Sequence, residues 1–314
     1  MIDIQKAAII GCGFVGSSTA FSLMQKGLFS ELVLIDADRD RAEGEAMDIS
    51  HGRPFAHTMK IYAGSYEDIG DCAMIIITAG ANQKPGETRT DLVHRNVEIF
   101  KSIIPSITKQ DFEGILLIVA NPVDILTYAA LKISGYSKER VIGSGTVLDS
   151  ARFRYLLGEH LKVDSRSVHA MIIGEHGDSE LAVWSGANVS GIDVNDFCEI
   201  RGFYDHQQAM DQIYRQVRDS AYQIIEKKGA TYYGVAMAVV RIAESIIRDE
   251  HAVLPISSLM EGEYGLTDLC ISVPTIVAEN GAEKVLEIPL NEKEQKELAE
   301  SAAEVQKILR EIGL

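Results

Sequence analysis

"AAIIGCGFVG", residues 7–16, decides how the rest of the 314-residue chain is read. Residues 7–11 form a short apolar run of strand type, and an amphipathic stretch at 14–27 follows at once. The turn between them carries Gly11, Gly13 and Gly16 in a G-x-G-x-x-G spacing. The spacing alone is a weak signal, but set between a strand and a helix it describes a phosphate-binding turn. Gly11 permits the tight turn, Gly13 lets a pyrophosphate approach the backbone, and Gly16 lets helix and strand pack closely. The helix N-terminus then presents free N–H groups to the anion. Twenty residues past Gly16, the run "ELVLID" ends in Asp36. A carboxylate there bonds ribose hydroxyls and repels a 2′-phosphate, which favours NAD. Arg39 and Arg41 follow closely and leave NADP open. The competing reading is a glycine-rich turn followed by a helix-capping aspartate.

Working outward, strand-like runs recur at 31–36, 59–63, 73–78, 115–119 and 141–144, with helical stretches at 38–50, 92–109 and 123–134. Continuous apolar runs between helices mark strands buried on both faces of a parallel sheet. Residues 1–145 therefore read as an α/β dinucleotide-binding domain of the doubly wound, Rossmann type. From 146 the rhythm changes. A helix at 147–161 leads into short strands near 167–173, 187–189, 253–259, 270–273 and 276–279, with long helices at about 205–227 and 233–248. In the last stretch, 291–311, Leu298, Ala302, Val305 and Leu309 form one apolar helical stripe. Residues 146–314 read as an α+β substrate domain packed closely on the first.

The composition, 46% hydrophobic and 24% charged, is that of an ordinary folded protein. The apolar runs are too short to span a bilayer, and the N-terminal segment lacks the features of a signal peptide. A formal charge of −16 argues against nucleic-acid and anionic-membrane partners. It also means that an anionic substrate needs a local cluster of arginines. Cys12, Cys72, Cys198 and Cys270 are scattered, which fits a reducing cytoplasm and gives no metal or redox motif.

Three segments carry candidate chemistry. "IIGEHGDSE", residues 172–180, sets His176 just past a buried strand, between an acid and a glycine. It is a turn residue or a proton carrier. The flanking glycines leave room for close approach, and Glu175 and Asp178 read as structural or solvated. "GANQKPGETRTDL", residues 80–92, follows the fourth strand, at the carboxyl end of which ligands bind in such sheets. It could close over a site and bring in Arg89, or be a solvated loop. "GTVLDSARFR", residues 145–154, puts Asp149 and Arg152 on one helix face, as an ion pair or as part of a pocket. Arg154, about 200° round the helix from Arg152, faces away from that pocket.

Taken in order, "GCGFVG", "NQKPGETR", "VANPVD", "LDSARFR" and "IIGEHGDSE" resemble the L-lactate dehydrogenase family, in particular its bacterial allosteric type, over essentially the whole chain. The resemblance implies NAD as cofactor and reversible reduction of pyruvate to L-lactate. It makes His176 the proton donor and acceptor, with Asp149 holding the imidazole, chemistry that suits a histidine near neutral pH. Arg152 would grip the substrate carboxylate and Arg89 would polarise the carbonyl. Asn121, Asp124 and Thr231 would complete the substrate pocket. Val15, Tyr66, Gly80, Ala81, Ser102, Val119, Asn121 and Ser144 would join Gly11, Gly13, Gly16, Asp36 and Arg41 around the cofactor. Gln83 carries substrate choice. Malate-forming relatives place an arginine there, whereas neutral Gln83 leaves a second carboxylate unpaired. The resemblance further implies a homotetramer activated by fructose 1,6-bisphosphate, bound between subunits by Arg154 and His169. The rival readings are a malate dehydrogenase, an NAD-dependent glycosidase and a non-catalytic NAD-binding protein.

Overall fold

The computed structural model describes residues 5–81, 89–203 and 206–314, with Arg89, His206 and Gln207 described by backbone alone. Six parallel strands form the heart of the molecule: β1 (Lys6–Ile10), β2 (Glu31–Ile35), β3 (Lys60–Ala63), β4 (Met74–Ile77), β5 (Ile115–Ile118) and β6 (Val141–Gly143). Between them run α1 (Phe14–Lys26), α2 (Arg39–His51), α3 (Arg89–Thr108) and α4 (Val123–Ser134). Past their first residues β1 and β2, and β4 and β5 throughout, are apolar because both faces are covered. Ala8 and Ile10 of β1 pack on the side of α3 and α4, while Ala7 and Ile9 pack on the side of α1 and α2. The expected doubly wound α/β architecture is present, with strand limits close to those read from the sequence.

The second half begins with α5 (Val147–Leu161). Short strands follow: β7 (Val168–His169), β8 (Ile172–Ile173), β9 (Leu181–Ala182), β10 (Asn188–Val189) and β11 (Ile192–Asp193). Then come α6 (Val194–Ile200), α7 (His206–Lys228) and α8 (Tyr233–Ile247). The chain ends with β12 (Ala252–Glu261), β13 (Thr267–Ala278), β14 (Gly281–Val285) and α9 (Glu292–Glu311). The last three strands are antiparallel and extend the first sheet through β6, giving the order β14-β13-β12-β6-β5-β4-β1-β2-β3. The α8 helix adds Val239, Ile242 and Ile246 to the core on the α1 face, and α9 adds Leu298, Ala302, Val305 and Leu309 on the α4 face. The expected apolar stripe of the last helix is buried at every position.

One difference from the sequence reading has a clear cause. The two short strands expected near 270–273 and 276–279 are one continuous strand, β13, with Pro274 inside it. Proline lacks an N–H and ordinarily ends a central strand. Here Pro274 stands opposite Pro255. Their carbonyls point outward, Pro255 accepting from Thr146 N at 3.1 Å and Pro274 from Leu286 N at 2.8 Å. The pair therefore occupies a position of the ladder that needs no N–H between the two strands.

A third apolar cluster holds α5 against α6, α7 and the small strands. Phe153 of α5 is fully buried in it and meets the edge of the Trp184 ring, with centroids 4.7 Å apart. Phe153→Ala is expected to destabilise the protein by about 3–5 kcal/mol, measured by denaturant unfolding, because it empties the base on which α5 rests.

Candidate active site

The nucleotide turn has the geometry its glycines require. Gly11 has φ +102°, outside the range of ordinary residues, and its N–H donates to Ile35 O at 2.8 Å. A Cβ on Gly16 would lie 1.9 Å from the carbonyl oxygen of Gly11, so the helix could not approach the strand. A Cβ on Gly13 would meet nothing within 4 Å, which leaves that backbone open to a ligand. Asp36 sits at the end of β2, where its Oδ2 accepts from Cys12 N at 2.6 Å and its Oδ1 from Asp38 N at 2.9 Å. Its carboxylate thus meets the phosphate turn beside the open face of Gly13, an arrangement that fits the ribose and pyrophosphate of a dinucleotide. The helix cap of α2 is Asp38, not Asp36, and the capped N–H belongs to Arg41. The rival reading of Asp36 as a cap therefore falls.

Of the other cofactor-side candidates, Gly80, Val119 and Ser144 follow β4, β5 and β6, Tyr66 follows β3, and Val15 lies in the first turn of α1. Val119 and Ser144 are buried, Gly80 is exposed, and Val15 and Tyr66 are half-buried. Ser102 lies on α3 and donates to Ile99 O of its own helix at 2.7 Å. Sequence reasoning missed Asn96, a buried residue of α3. Its Oδ1 accepts from Ala81 N at 2.8 Å, and its Nδ2 donates to Asn121 O at 2.8 Å. One side chain thus ties the loop after β4 to the loop after β5.

The histidine loop is built by long-range contacts. Ile172 and Ile173 of β8 pair with β9, leaving 174–180 as the connecting loop. Gly174 exchanges two backbone hydrogen bonds with Ser272 of β13. Glu175 N donates to Ser301 Oγ of α9 at 2.8 Å, and His176 N donates to Asp124 Oδ2 of α4 at 2.8 Å. Gly174 has φ +95°, and a Cβ there would lie 2.8 Å from Ser301 Oγ. Its lack of a side chain admits α9 rather than a ligand, which corrects the expectation for this glycine. As expected, Glu175 and Asp178 are structural, bonding Ser179 Oγ and Tyr222 OH.

The α5 helix is fastened to the same strand. Thr146 Oγ1 donates to Ile172 O at 2.6 Å, and Ser150 Oγ accepts from Ile172 N at 2.9 Å. These two residues bracket Asp149 and aim it at the loop. Asp149 Oδ2 stands 2.6 Å from His176 Nδ1, and Arg152 Nη1 donates to Asp149 Oδ1 at 2.7 Å. The Asp149 side chain is 3% exposed and the His176 ring 25%, so the pair is dry on one side and open on the other. The ion pair between Asp149 and Arg152 and the contact with the histidine coexist.

Burial alone would raise the Asp149 carboxyl, but the charge and hydrogen bond of His176, with Arg152 added, bring it below the usual range. For His176 burial acts downward, and the Asp149 carboxylate overrides it by charge and hydrogen bond, pushing the imidazole up to about 9. The ring is therefore protonated at neutral pH, with Nδ1 committed to Asp149 and Nε2 left for a substrate. Asp124 is buried, and its Oδ1 accepts from Ser257 Oγ at 2.6 Å and Ser272 Oγ at 3.3 Å. Burial pushes this carboxyl up to about 6, against the pull of the hydrogen bonds from Ser257 and the His176 backbone. Both its oxygens are engaged within the protein.

Thr231 lies half-buried between α7 and α8. Arg154 donates to Ser165 O at 3.5 Å, away from the Asp149 contact of Arg152. His169 is exposed on β7. Gln83 lies outside the described residues, as does the side chain of Arg89, whose backbone opens α3.

A dinucleotide turn at one end of a doubly wound sheet, with a carboxylate-backed histidine in the adjoining half, marks a nicotinamide-dependent oxidoreductase. Protein-family models make that specific. Residues 5–143 match the NAD binding domain of lactate/malate dehydrogenase, and residues 146–313 match its alpha/beta C-terminal domain. The chain belongs to the lactate/malate dehydrogenase family. It is 54% identical to an L-lactate dehydrogenase of Acetivibrio thermocellus over 99% of this chain and 98% of that protein. It is 52% identical to L-lactate dehydrogenase 1 of Clostridium acetobutylicum, over 98% of each chain. Among solved structures, a lactate dehydrogenase from a Medee basin deep-sea metagenome superposes with a TM-score of 0.95 at 45% identity, covering 99% of both chains.

Since Asp149 is what raises the imidazole, Asp149→Asn is expected to move the His176 titration from about 9 to below 7, followed by NMR of the ring. Gly16→Ala is expected to weaken NADH binding at least roughly tenfold by calorimetry, since the added methyl collides with the turn.

Proposed function

We propose that the protein is an NAD-dependent L-lactate dehydrogenase that reduces pyruvate reversibly to L-lactate. The observation that carries the reading is the 2.6 Å contact between Asp149 Oδ2 and His176 Nδ1, which leaves a charged imidazole with Nε2 free. The names of the 54% and 52% identical relatives support the same activity and do not favour malate dehydrogenase.

Bound at the glycine turn and Asp36, the nicotinamide dinucleotide supplies a hydride to the keto carbon. The chain supplies the rest. Residues 1–145 hold the cofactor and residues 146–314 bring the acid–base pair, with Arg89 and Asn121 contributed across the boundary. Arg152 keeps one amino group on Asp149 and offers the others to the substrate carboxylate in a bidentate grip. Arg89 and Asn121 polarise the carbonyl, a single such donor contributing roughly 3–4 kcal/mol in a dry site. His176 Nε2 gives its proton to the forming alkoxide and recovers it in the reverse direction. Asp149 stays ionised and holds the ring. Thr231 lines the wall beside the substrate methyl. Asp124 acts through the backbone of His176 rather than on the substrate, since its oxygens are engaged elsewhere. Val15, Tyr66, Gly80, Ala81, Ser102, Val119 and Ser144 are carried as cofactor contacts by the family resemblance.

Gln83 sets the preference for a monocarboxylate. We further infer a homotetramer activated by fructose 1,6-bisphosphate through Arg154 and His169. In support, Arg154 Nε is buried without a hydrogen-bond partner among the described residues, and His169 is open to solvent. A cytoplasmic location agrees with four free cysteines, all buried, and with no described helix being long and apolar enough to cross a membrane.

Steady-state NADH oxidation is expected to be faster with pyruvate than with oxaloacetate and to rise at low pyruvate when the sugar bisphosphate is added. Gln83→Arg is expected to shift the ratio toward oxaloacetate by roughly a hundredfold or more. Turnover of oxaloacetate in preference to pyruvate by the unaltered enzyme would contradict the assignment.

A further inference from the structure

Glu180 is a buried acid to which the reaction above gives no task. It lies at the end of the histidine loop, just before β9, and is 6% exposed. Its Oε1 is buried without a hydrogen-bond partner among the described residues. Asp149, His176 and Glu180 each bring one oxygen or nitrogen within 4.8 Å of the others. Two carboxylates this close in a dry site do not both ionise cheaply. Asp149 has the guanidinium of Arg152 and the imidazole to hold its charge. Glu180 has neither bond, so the proton resides there.

The surroundings agree from every side. Asp149 and Arg152 face Glu180 from α5, His176 from its own loop, and Arg218 from α7. Tyr214 of α7 donates its hydroxyl to the Glu180 carbonyl, not to the carboxyl. Behind it, Glu297, Glu300 and Glu304 of α9 line a shared cavity with it. Burial and then the charge of Asp149 push the Glu180 carboxyl up to about 8, against His176, Arg152 and Arg218. The triangle of side chains has the size of a cation site. With the Arg152 guanidinium already 2.7 Å from Asp149, though, the further positive charge it accepts is a proton.

We propose that Glu180 is a positioning residue for the proton of His176: neutral when the imidazole is amply protonated, it ionises at alkaline pH and so keeps the imidazole charged where it would otherwise lose its proton. The inference rests on His176 being the acid–base group proposed above. Its consequence is directional. Reduction of the keto acid needs protonated His176, so an ionised Glu180 extends that activity toward alkaline pH. Oxidation of the hydroxy acid needs neutral His176, so the same charge delays it to higher pH. The two titrations belong to the coupled set rather than to either residue alone.

The test is Glu180→Gln, equal in size and unable to ionise, in the full enzyme. The profiles of kcat/KM against pH are measured in both directions, together with the NMR titration of the His176 ring without substrate. The expected result is a downward shift of about one pH unit in the alkaline limb of reduction, in the acid limb of oxidation and in the ring titration. Glu180→Met carries the same expectation should the carboxamide disturb folding. Limbs and ring titration that stay in place, or that move upward, overturn the proposal, even where the rate falls uniformly. The ring titration separates the two layers of argument. Absence of 2-keto acid turnover in the unaltered enzyme sinks the functional reading, whereas an unmoved ring in the variant sinks the role of Glu180.

Discussion

One hydrogen bond, between the buried Asp149 carboxylate and the His176 ring, is what the surrounding structure is arranged to hold. Both partners are fixed by bonds that their sequence neighbours make to distant parts of the chain. Asp149 is aimed by Thr146 and Ser150, which clamp Ile172 of β8 from either side along α5. His176 is held by its backbone, through Asp124 of α4, and by the anchoring of Gly174 and Glu175 to β13 and α9. Arg152 then lets a carboxylate persist where water is excluded. Removing any of these supports would leave the residues present but their distance uncontrolled, and proton transfer depends on that distance.

The same constraint explains why the two halves of the chain share a sheet. Asp124 comes from the dinucleotide-binding half, yet its second oxygen takes bonds from Ser257 and Ser272 of β12 and β13. Those strands continue the parallel sheet past β6, and α8 and α9 lie on its two faces. A histidine loop resting on β13 and α9 is thereby rigid with respect to the strand ends that carry the nucleotide turn. Hydride and proton delivery are positioned by one continuous framework.

Much of this was legible in the sequence, for physical reasons. Strands buried on both faces have continuous apolar runs, and α9 shows its stripe, because each such pattern is local. The nucleotide turn is legible because the positive φ of Gly11 and the close approach of Gly16 to the Gly11 carbonyl are demands of the turn itself. His176, Asp149 and Arg152 were found through their motifs and the family resemblance. What was hidden depends on contacts distant along the chain. Nothing near Asn96 announces that it joins the loops after β4 and β5. Gly174 is read as room for a ligand until Ser301, far along the chain, is seen to occupy that room. The continuity of β13 through Pro274 depends on a second proline across the ladder, which no local rule supplies. Nothing in the sequence around Glu180 announces that the fold buries it beside Asp149.

The most direct test is a crystal structure with NADH and oxamate, an unreactive mimic of pyruvate. The account predicts the oxamate carboxylate on the Arg152 guanidinium and its carbonyl oxygen within hydrogen-bond distance of both His176 Nε2 and Arg89, with the nicotinamide against its other face. Oxamate bound elsewhere, or a His176 ring turned away from Asp149 with Nδ1 free, would contradict it.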